Sequence, residues 1–121
     1  MKRSIVNQPA GMAPPGGHYS HGVIVEAGRT LYVAGQVPLD ENGNVASPGD
    51  AGGQTRQALR RLEAALNRFD STLDNVLRLD VFLHDIYFED EFIALTKEIF
   101  GNNPPTMNIA GVDLEHNAEV E

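Results

Sequence analysis

The chain has 121 residues and a net charge of −8, from 9 Lys and Arg against 17 Asp and Glu, and it contains no cysteine. Its length predicts a single domain over residues 1–121, and its acidic charge argues against a nucleic acid or an anionic membrane as a partner. The lack of cysteine excludes disulfides and Cys-based metal sites and fits a cytoplasmic protein, and the lack of an apolar run of about 18 residues argues against a membrane span.

The first part of the chain has the pattern of antiparallel β-structure. Residues 9–17 are rich in Pro and Gly and predict an irregular arm. Alternation over residues 19–25 predicts a strand, and a glycine turn then leads to a return strand over residues 31–34. Residues 35–36, Gly-Gln, interrupt this strand either as a bulge or as a close backbone approach to a ligand. The Asn-Gly pair at residues 42–43 predicts a tight turn.

The second part predicts two helices separated by a clear strand. Asp50 is a candidate N-cap for the first helix, whose apolar stripe comprises Leu59, Leu62, Leu66 and Phe69. Residues 76–84 alternate strictly, so that Leu77, Leu79, Val81 and Leu83 face one way and Arg78, Asp80, Phe82 and His84 the other. The second helix ends at Gly101, and its apolar side comprises Phe88, Phe92, Leu95 and Ile99.

Two extended segments, residues 107–114 and 118–121, close the chain. The order β, β, α, β, α, β, β predicts an α+β fold with two helices on one face of a mixed sheet. The strand face that carries Phe82 among polar residues is predicted to meet another subunit.

Single residues give weaker indications of chemistry. His18 and His21 would point to opposite faces of a strand, and no third ligand follows, so surface or interface histidines are favoured over a metal site. His21 is also a candidate general base. Ser20 and His21, as neighbours on a strand, would face opposite ways and cannot easily form a nucleophile–base pair. Glu119 and Glu121 alternate with Val120, and either one of the two carboxylates faces a pocket and positions a water molecule or both lie on a solvated edge strand. No metal and no cofactor is predicted.

Several segments, taken together, carry a family resemblance. They are Gly17-His18-Tyr19-Ser20-His21-Gly22-Val23, residues 31–40 (Leu-Tyr-Val-Ala-Gly-Gln-Val-Pro-Leu-Asp), residues 54–59 (Gln-Thr-Arg-Gln-Ala-Leu), residues 73–76 with 81–83, and residues 100–105 (Phe-Gly-Asn-Asn-Pro-Pro). In order and spacing they resemble the Rid (YjgF/L-PSP) family of reactive-intermediate deaminases and relatives. The resemblance implies a chorismate-mutase-like (YjgF-like) fold and a homotrimer with small-molecule clefts between its subunits.

The resemblance also implies roles for particular residues. In the deaminases of this family an arginine after the Pro-Pro turn binds the substrate carboxylate. A glutamate of the last strand positions the water that attacks an imine carbon. Here Met107 stands at the arginine position, whereas Glu119, Tyr19 and Gly35 are retained and His21 replaces a glutamine. Arginine offers a planar fork of donors to a carboxylate and methionine offers none.

The candidate site residues form two sets. The catalytic set is Glu119, Tyr19 and His21; the ligand-binding set is Met107, Gly35, Ile109 and Arg78. The favoured hypothesis is a cleft for a metabolite other than the standard imino acids. One alternative is an enamine or imine deaminase that uses a displaced cation, with Arg78 as the candidate. Another is a non-catalytic trimer that binds a metabolite or a protein. Endoribonuclease activity, attached to some relatives, is disfavoured by the acidic charge.

Overall fold

The computed structural model describes residues 2–7, 10–26 and 28–121. Its strands are β1 (Lys2–Val6), β2 (Gly22–Glu26), β3 (Arg78–Leu83) and β4 (Thr106–Gly111). Its helices are α1 (Ala51–Asn67) and α2 (Glu89–Phe100), and short 3₁₀ turns follow at Leu73–Asn75, Ile86–Phe88 and Glu115–Asn117. Over the described ranges, no helix has the length and apolar character needed to span a bilayer.

Strand β3 holds the sheet together because it pairs along both of its edges. On one edge it runs parallel to β4, from Arg78 opposite Thr106 to Leu83 opposite Gly111. On the other edge residues 119–121 run antiparallel to it, and Phe82 and Glu121 exchange two hydrogen bonds of 2.9 Å. The predicted mixed sheet is therefore confirmed, with β3 as the strand that the alternating pattern indicated.

Both helices pack on one face of this sheet, as predicted. One cluster of buried side chains joins the two helices to the start of β3 and comprises Leu59, Leu66, Val76 and Phe100. A second cluster joins α2 to the sheet and comprises Val81, Leu83, Phe92 and Val120. Because Val81 and Leu83 are buried while Phe82 is 40% exposed, β3 has one covered face and one open face.

The helix ends agree with most of the expectations. The Asp50 carboxylate accepts the Gly53 N–H at 3.0 Å, which makes it the N-cap of α1. Gly101 follows α2 with a φ of 54°, a left-handed value that glycine adopts without a Cβ clash. The predicted place of Phe69 in the apolar stripe is wrong, because α1 ends at Asn67 and Phe69 is 63% exposed.

The predicted first hairpin is also wrong in its pairing. Strand β2 begins at Gly22 rather than Tyr19 and pairs antiparallel with β1, from Lys2 opposite Glu26 to Val6 opposite Gly22. Residues 31–34, the expected return strand, have no strand assignment. Alternation shows that a segment is extended but not which segment it pairs with. Pro9 of the predicted arm and Ala27 of the predicted turn lie outside the described residues.

Residues 28–36 instead line a cleft that β3 also lines. The cleft has a volume of about 1630 Å³, and α1 contributes Leu59, Leu62 and Leu66 to its lining. Farther on, the predicted Asn-Gly turn is confirmed, because Gly43 has a φ of 80° and a bridge joins Leu39 to Val45. The last long strand ends at Gly111, three residues earlier than predicted.

The end of α1 provides a stability prediction at Asp70. This residue has a φ of 57°, and the next N–H, of Ser71, reaches back to the Leu66 carbonyl at 3.0 Å. A left-handed conformation costs a residue with a Cβ about 1–2 kcal/mol, and a carboxylate at the negative helix end is unfavourable. We expect Asp70→Gly to stabilise the protein by about 1 kcal/mol, since the added chain entropy of glycine offsets part of the gain.

Thermal unfolding followed by circular dichroism measures this effect, and we expect the midpoint to rise by about 3–6 °C. Asp70→Ala is the matched control, because it removes the charge but keeps the Cβ. Equal stabilisation by alanine would show that charge, not backbone conformation, sets the cost at this position.

Candidate functional site

Glu119 lies at the outer edge of the sheet, where β3 fixes the last segment of the chain. Val120 bridges to Leu83 and belongs to the buried cluster on the helix side. Because successive side chains of an extended segment alternate between faces, Glu119 and Glu121 leave on the open side of the sheet. The His84 N–H donates to the Glu119 carbonyl at 2.9 Å. The candidate glutamate is therefore half-buried on a backbone that β3 holds in place.

Gly35 lies against the carboxylate of Glu121. A Cβ built on Gly35 would overlap the Oε1 atom of Glu121, so a side chain at this position would require the Glu121 carboxylate to move. The structure therefore shows a close approach at Gly35, to a carboxylate of the same chain, and residues 35–36 are not a bulge in a strand. Alternation alone could not show which of the two glutamates, Glu119 or Glu121, meets Gly35.

Met107 and Ile109 face the helices. In β4 they lie opposite Leu79 and Val81, and both pack, half-buried, against the cluster that contains Phe92. Methionine thus fills this position with an apolar, adaptable side chain. It supplies neither a charge nor a hydrogen-bond donor there.

Arg78 lies on the other face of the sheet and is already paired. Its Nε donates to Asp80 Oδ1 at 3.0 Å, and the Asn108 amide donates to the same oxygen at 3.3 Å. These two hydrogen bonds lower the pKa of the Asp80 carboxyl below its usual value. The pair therefore contributes its stability fully above the ordinary carboxyl pKa and loses it as pH falls through the lowered value. Its contribution is small because both side chains are exposed.

Tyr19 and His21 belong to an irregular segment rather than to a strand. The Tyr19 hydroxyl accepts the Gly16 N–H at 3.3 Å, and the two rings meet edge to face with centroids 6.0 Å apart. His21 Nε2 lies 2.9 Å from the Ala13 carbonyl, and His18 Nε2 lies 2.8 Å from the Gly101 carbonyl. Both histidines thus bind backbone carbonyls. In the described part of the chain, no group of three or more His, Asp or Glu residues could hold a metal ion.

Ser20 fastens this segment to the turn that precedes β4. Its hydroxyl donates to the Pro104 carbonyl at 2.6 Å and its N–H to the Pro105 carbonyl at 3.1 Å, with the side chain buried. A hydroxyl committed in this way is a structural tether rather than a nucleophile. Arg3 reaches the same turn from β1, donating to the carbonyls of Asn103 and Pro104 at 3.2 Å. Partial burial lowers the pKa of the Arg3 guanidinium.

Within one chain the candidate residues fall in separate places. Gly35 and Arg78 line the large cleft, together with Glu121. Tyr19 lines a smaller pocket of about 340 Å³ beside the Gly101 turn. Met107 and Ile109 lie on the helix side of β4, and Glu119 lies on the open side of the sheet. A single copy of the chain therefore does not bring the predicted catalytic and ligand-binding sets together.

The arrangement of helices and strands matches solved structures over nearly the whole chain. A Rid family protein of Yersinia pestis, YyfB, superposes with a TM-score of 0.86, 27% identity and coverage of 99% of this chain and 94% of that one. The YjgF gene product of E. coli superposes with a TM-score of 0.69 at 24% identity, covering 94% and 87%. The domain therefore has the chorismate-mutase-like (YjgF-like) α+β fold.

Sequence comparisons extend this from fold to family. The family model described as Endoribonuclease L-PSP matches residues 10–121. A RutC family protein of Sulfurisphaera tokodaii is 36% identical over 91 residues, 75% of this chain and 71% of that protein. One of Drosophila melanogaster is 31% identical over 115 residues, 93% and 82% of the two chains. The chain belongs to the L-PSP, or Rid/YjgF, family, as its sequence segments predicted.

Proposed function

We propose that the protein is a cytoplasmic homotrimer whose clefts between subunits bind an uncharged small metabolite, and that it lacks the standard hydrolysis of 2-imino acids. Met107 is the observation that carries this proposal. A charge-assisted hydrogen bond to a carboxylate contributes about 1.5–3 kcal/mol, which corresponds to roughly a tenfold to hundredfold change in affinity. Methionine at this position forgoes that contribution, because it offers a carboxylate neither a charge nor a hydrogen-bond donor.

The displaced-cation alternative has little support from the position of Arg78. Its guanidinium lies on the opposite face of the sheet from Met107 and is hydrogen-bonded to Asp80. A carboxylate ligand placed at Met107 of the same chain would therefore meet no cation from Arg78. With a net charge of −8, the rest of the protein also repels an anion.

The retained polar residues support chemistry on an uncharged C=N or C=O group. Glu119 leaves the sheet on its open side, where its carboxylate can orient a water molecule or accept a proton. Tyr19 adds a hydroxyl that can donate or accept a hydrogen bond, and His21 adds an imidazole. These groups suit a deaminase-like hydrolysis of a substrate that carries no carboxylate. No cofactor enters this proposal.

The separation of the candidate residues supports the proposed assembly. The open face of the sheet exposes Phe82 beside Ala110 of β4, so that an apolar patch lies next to the charged pair of Arg78 and Asp80. A second copy packed on this face would cover Phe82 and bring its own residues to the edge where Glu119 lies. Glu119 would then lie in a cleft that residues of two subunits line.

RNA cleavage is not proposed, although the word endoribonuclease appears in the description of the family and of a structural neighbour from Entamoeba histolytica. The chain carries 9 basic against 17 acidic residues, which is the wrong balance for a phosphate backbone.

A matched pair of ligands tests the proposed function directly. 2-Oxobutyrate and its uncharged amide, 2-oxobutanamide, differ in charge but scarcely in shape. We expect the amide to bind at least about tenfold more tightly in isothermal titration, because no donor compensates for burial of the carboxylate. Tighter binding of the carboxylate, or binding of neither compound at millimolar concentration, would count against the proposal.

A further inference from the structure

Gln54 is a fully buried polar side chain in the first turn of α1, and both ends of its amide are used. Its side chain has 0% exposure. The Oε1 atom accepts the N–H of Glu119 at 2.8 Å, across 65 positions of sequence, and the Nε2 atom donates to the Ser47 carbonyl at 3.2 Å. The side chain thus links the segment before α1 to the residue that carries the candidate carboxylate.

The hydrogen bond to Glu119 replaces one that the sheet would otherwise make. Phe82 and Glu121 exchange both of their backbone bonds, as opposed residues of an antiparallel ladder do. Two positions along, His84 donates to the Glu119 carbonyl, but the Glu119 N–H goes to Gln54 instead of returning to His84. Gln54 therefore turns the Glu119 peptide out of the ladder.

The approach to Glu119 is unusual as well. His116 and Asn117 both have left-handed φ values, of 61° and 55°, and the Ala118 N–H closes the turn on the Glu115 carbonyl at 3.2 Å. The chain thus reaches Glu119 from a sharp turn, and Gln54 holds the first N–H of the extended segment that follows.

From this geometry we infer that Gln54 is a positioning residue for Glu119. By holding the Glu119 N–H, it sets the direction in which the Cα–Cβ bond leaves the sheet and so where the carboxylate lies on the open side of the sheet. Gln54 itself, buried beneath the strand, touches neither ligand nor water. This inference rests on the proposed function for its use of Glu119, but its geometric part can be measured without a ligand.

Gln54→Met tests the geometry, because methionine has a similar length and can make neither hydrogen bond. We expect the amide exchange of Glu119 to accelerate by about tenfold relative to that of Glu121. We also expect the three-bond NMR couplings that report χ1 of Glu119 to change. Their values should shift from those of a single rotamer to values averaged over several rotamers. Thr55→Val is the matched control, since it removes a buried hydrogen bond of the same helix turn, to the Ala51 carbonyl, away from Glu119.

Gln54→Glu separates positioning from stability. Its carboxylate can still accept the Glu119 N–H but cannot donate to Ser47, and burial of the charge destabilises the fold. We expect this variant to keep the wild-type χ1 couplings of Glu119 despite its lower stability. The inference is overturned if Gln54→Met leaves these couplings unchanged. It is also overturned if Thr55→Val or Gln54→Glu averages the couplings as much as Gln54→Met does.

The binding of 2-oxobutanamide links the geometry to function. We expect Gln54→Met and Glu119→Gln each to weaken binding by about tenfold. The double variant should bind no more weakly than either single variant, because both substitutions remove the same positioned carboxylate. Additive losses would overturn the positioning role. If Glu119→Gln alone leaves binding unchanged while the χ1 couplings still respond to Gln54→Met, the role proposed for Glu119 fails and the geometric inference stands.

Discussion

Met107→Arg is expected to create a preference for carboxylate ligands and to raise the hydrolysis of 2-imino acids by about tenfold to a hundredfold. The physical reason is the charge-assisted hydrogen bond that a guanidinium makes with a carboxylate, about 1.5–3 kcal/mol. Met107 is half-buried at the edge of the apolar cluster, so the arginine stem can lie along that surface while its charged end reaches solvent. Oxo-acid release from 2-iminobutyrate generated in situ measures the gain.

Two variants at the same position are the controls. Met107→Leu keeps the volume and the apolar character, and Met107→Gln adds hydrogen-bonding groups without charge, so neither should gain the activity. A folded Met107→Arg protein that shows neither carboxylate preference nor faster hydrolysis would contradict this prediction. It would mean that other residues of the cleft have also diverged from the deaminases of the family.

Leu83→Ala is expected to give the largest loss of stability, about 2–5 kcal/mol in the free energy of unfolding. Leu83 has 0% exposure and lies where β3 meets Phe92 of α2 and Val120 of the last segment. Removing its side chain leaves a cavity between these elements, and the segment that carries Glu119 loses its support. Urea denaturation followed by circular dichroism, at a fixed subunit concentration, measures the change.

Phe82→Ala is the matched control for this prediction. Phe82 is the preceding residue of β3 and has the larger side chain, but it points to the open face and is 40% exposed. We expect its loss to weaken subunit association, seen by sedimentation, while costing the isolated fold much less than Leu83→Ala. Equal losses of folding stability from the two variants would contradict the assignment of a covered and an open face.

The sequence predicted those elements whose evidence is local. Strand β3 alternates strictly, α1 has an acidic cap and a regular stripe, and Gly101 marks the end of α2. The pairing of β2 with β1 was missed because hydrophobic alternation does not specify a partner strand. Phe69 was misassigned because a stripe of correct spacing continues past Asn67, where the chain turns through Asp70.

The candidate site was predictable in its residue types but not in its contacts. The family motifs indicated Met107 and Glu119, but not the face of the sheet on which each side chain lies. No local pattern could indicate that Gln54 binds the Glu119 backbone 65 positions away, because a glutamine in a first helical turn is ordinarily a solvated residue. The contact of Gly35 with Glu121 is equally nonlocal.

The rate of 2-imino acid hydrolysis by the unmodified protein tests the consequence of Met107 most directly. 2-Iminobutyrate and 2-aminoacrylate are generated in situ, and oxo-acid release is compared with the spontaneous rate in the absence of protein. Because Met107 offers no donor to the substrate carboxylate, we predict no robust acceleration of either reaction. A clear acceleration that Glu119→Gln abolishes would contradict the proposal and would establish a deaminase that works without the arginine.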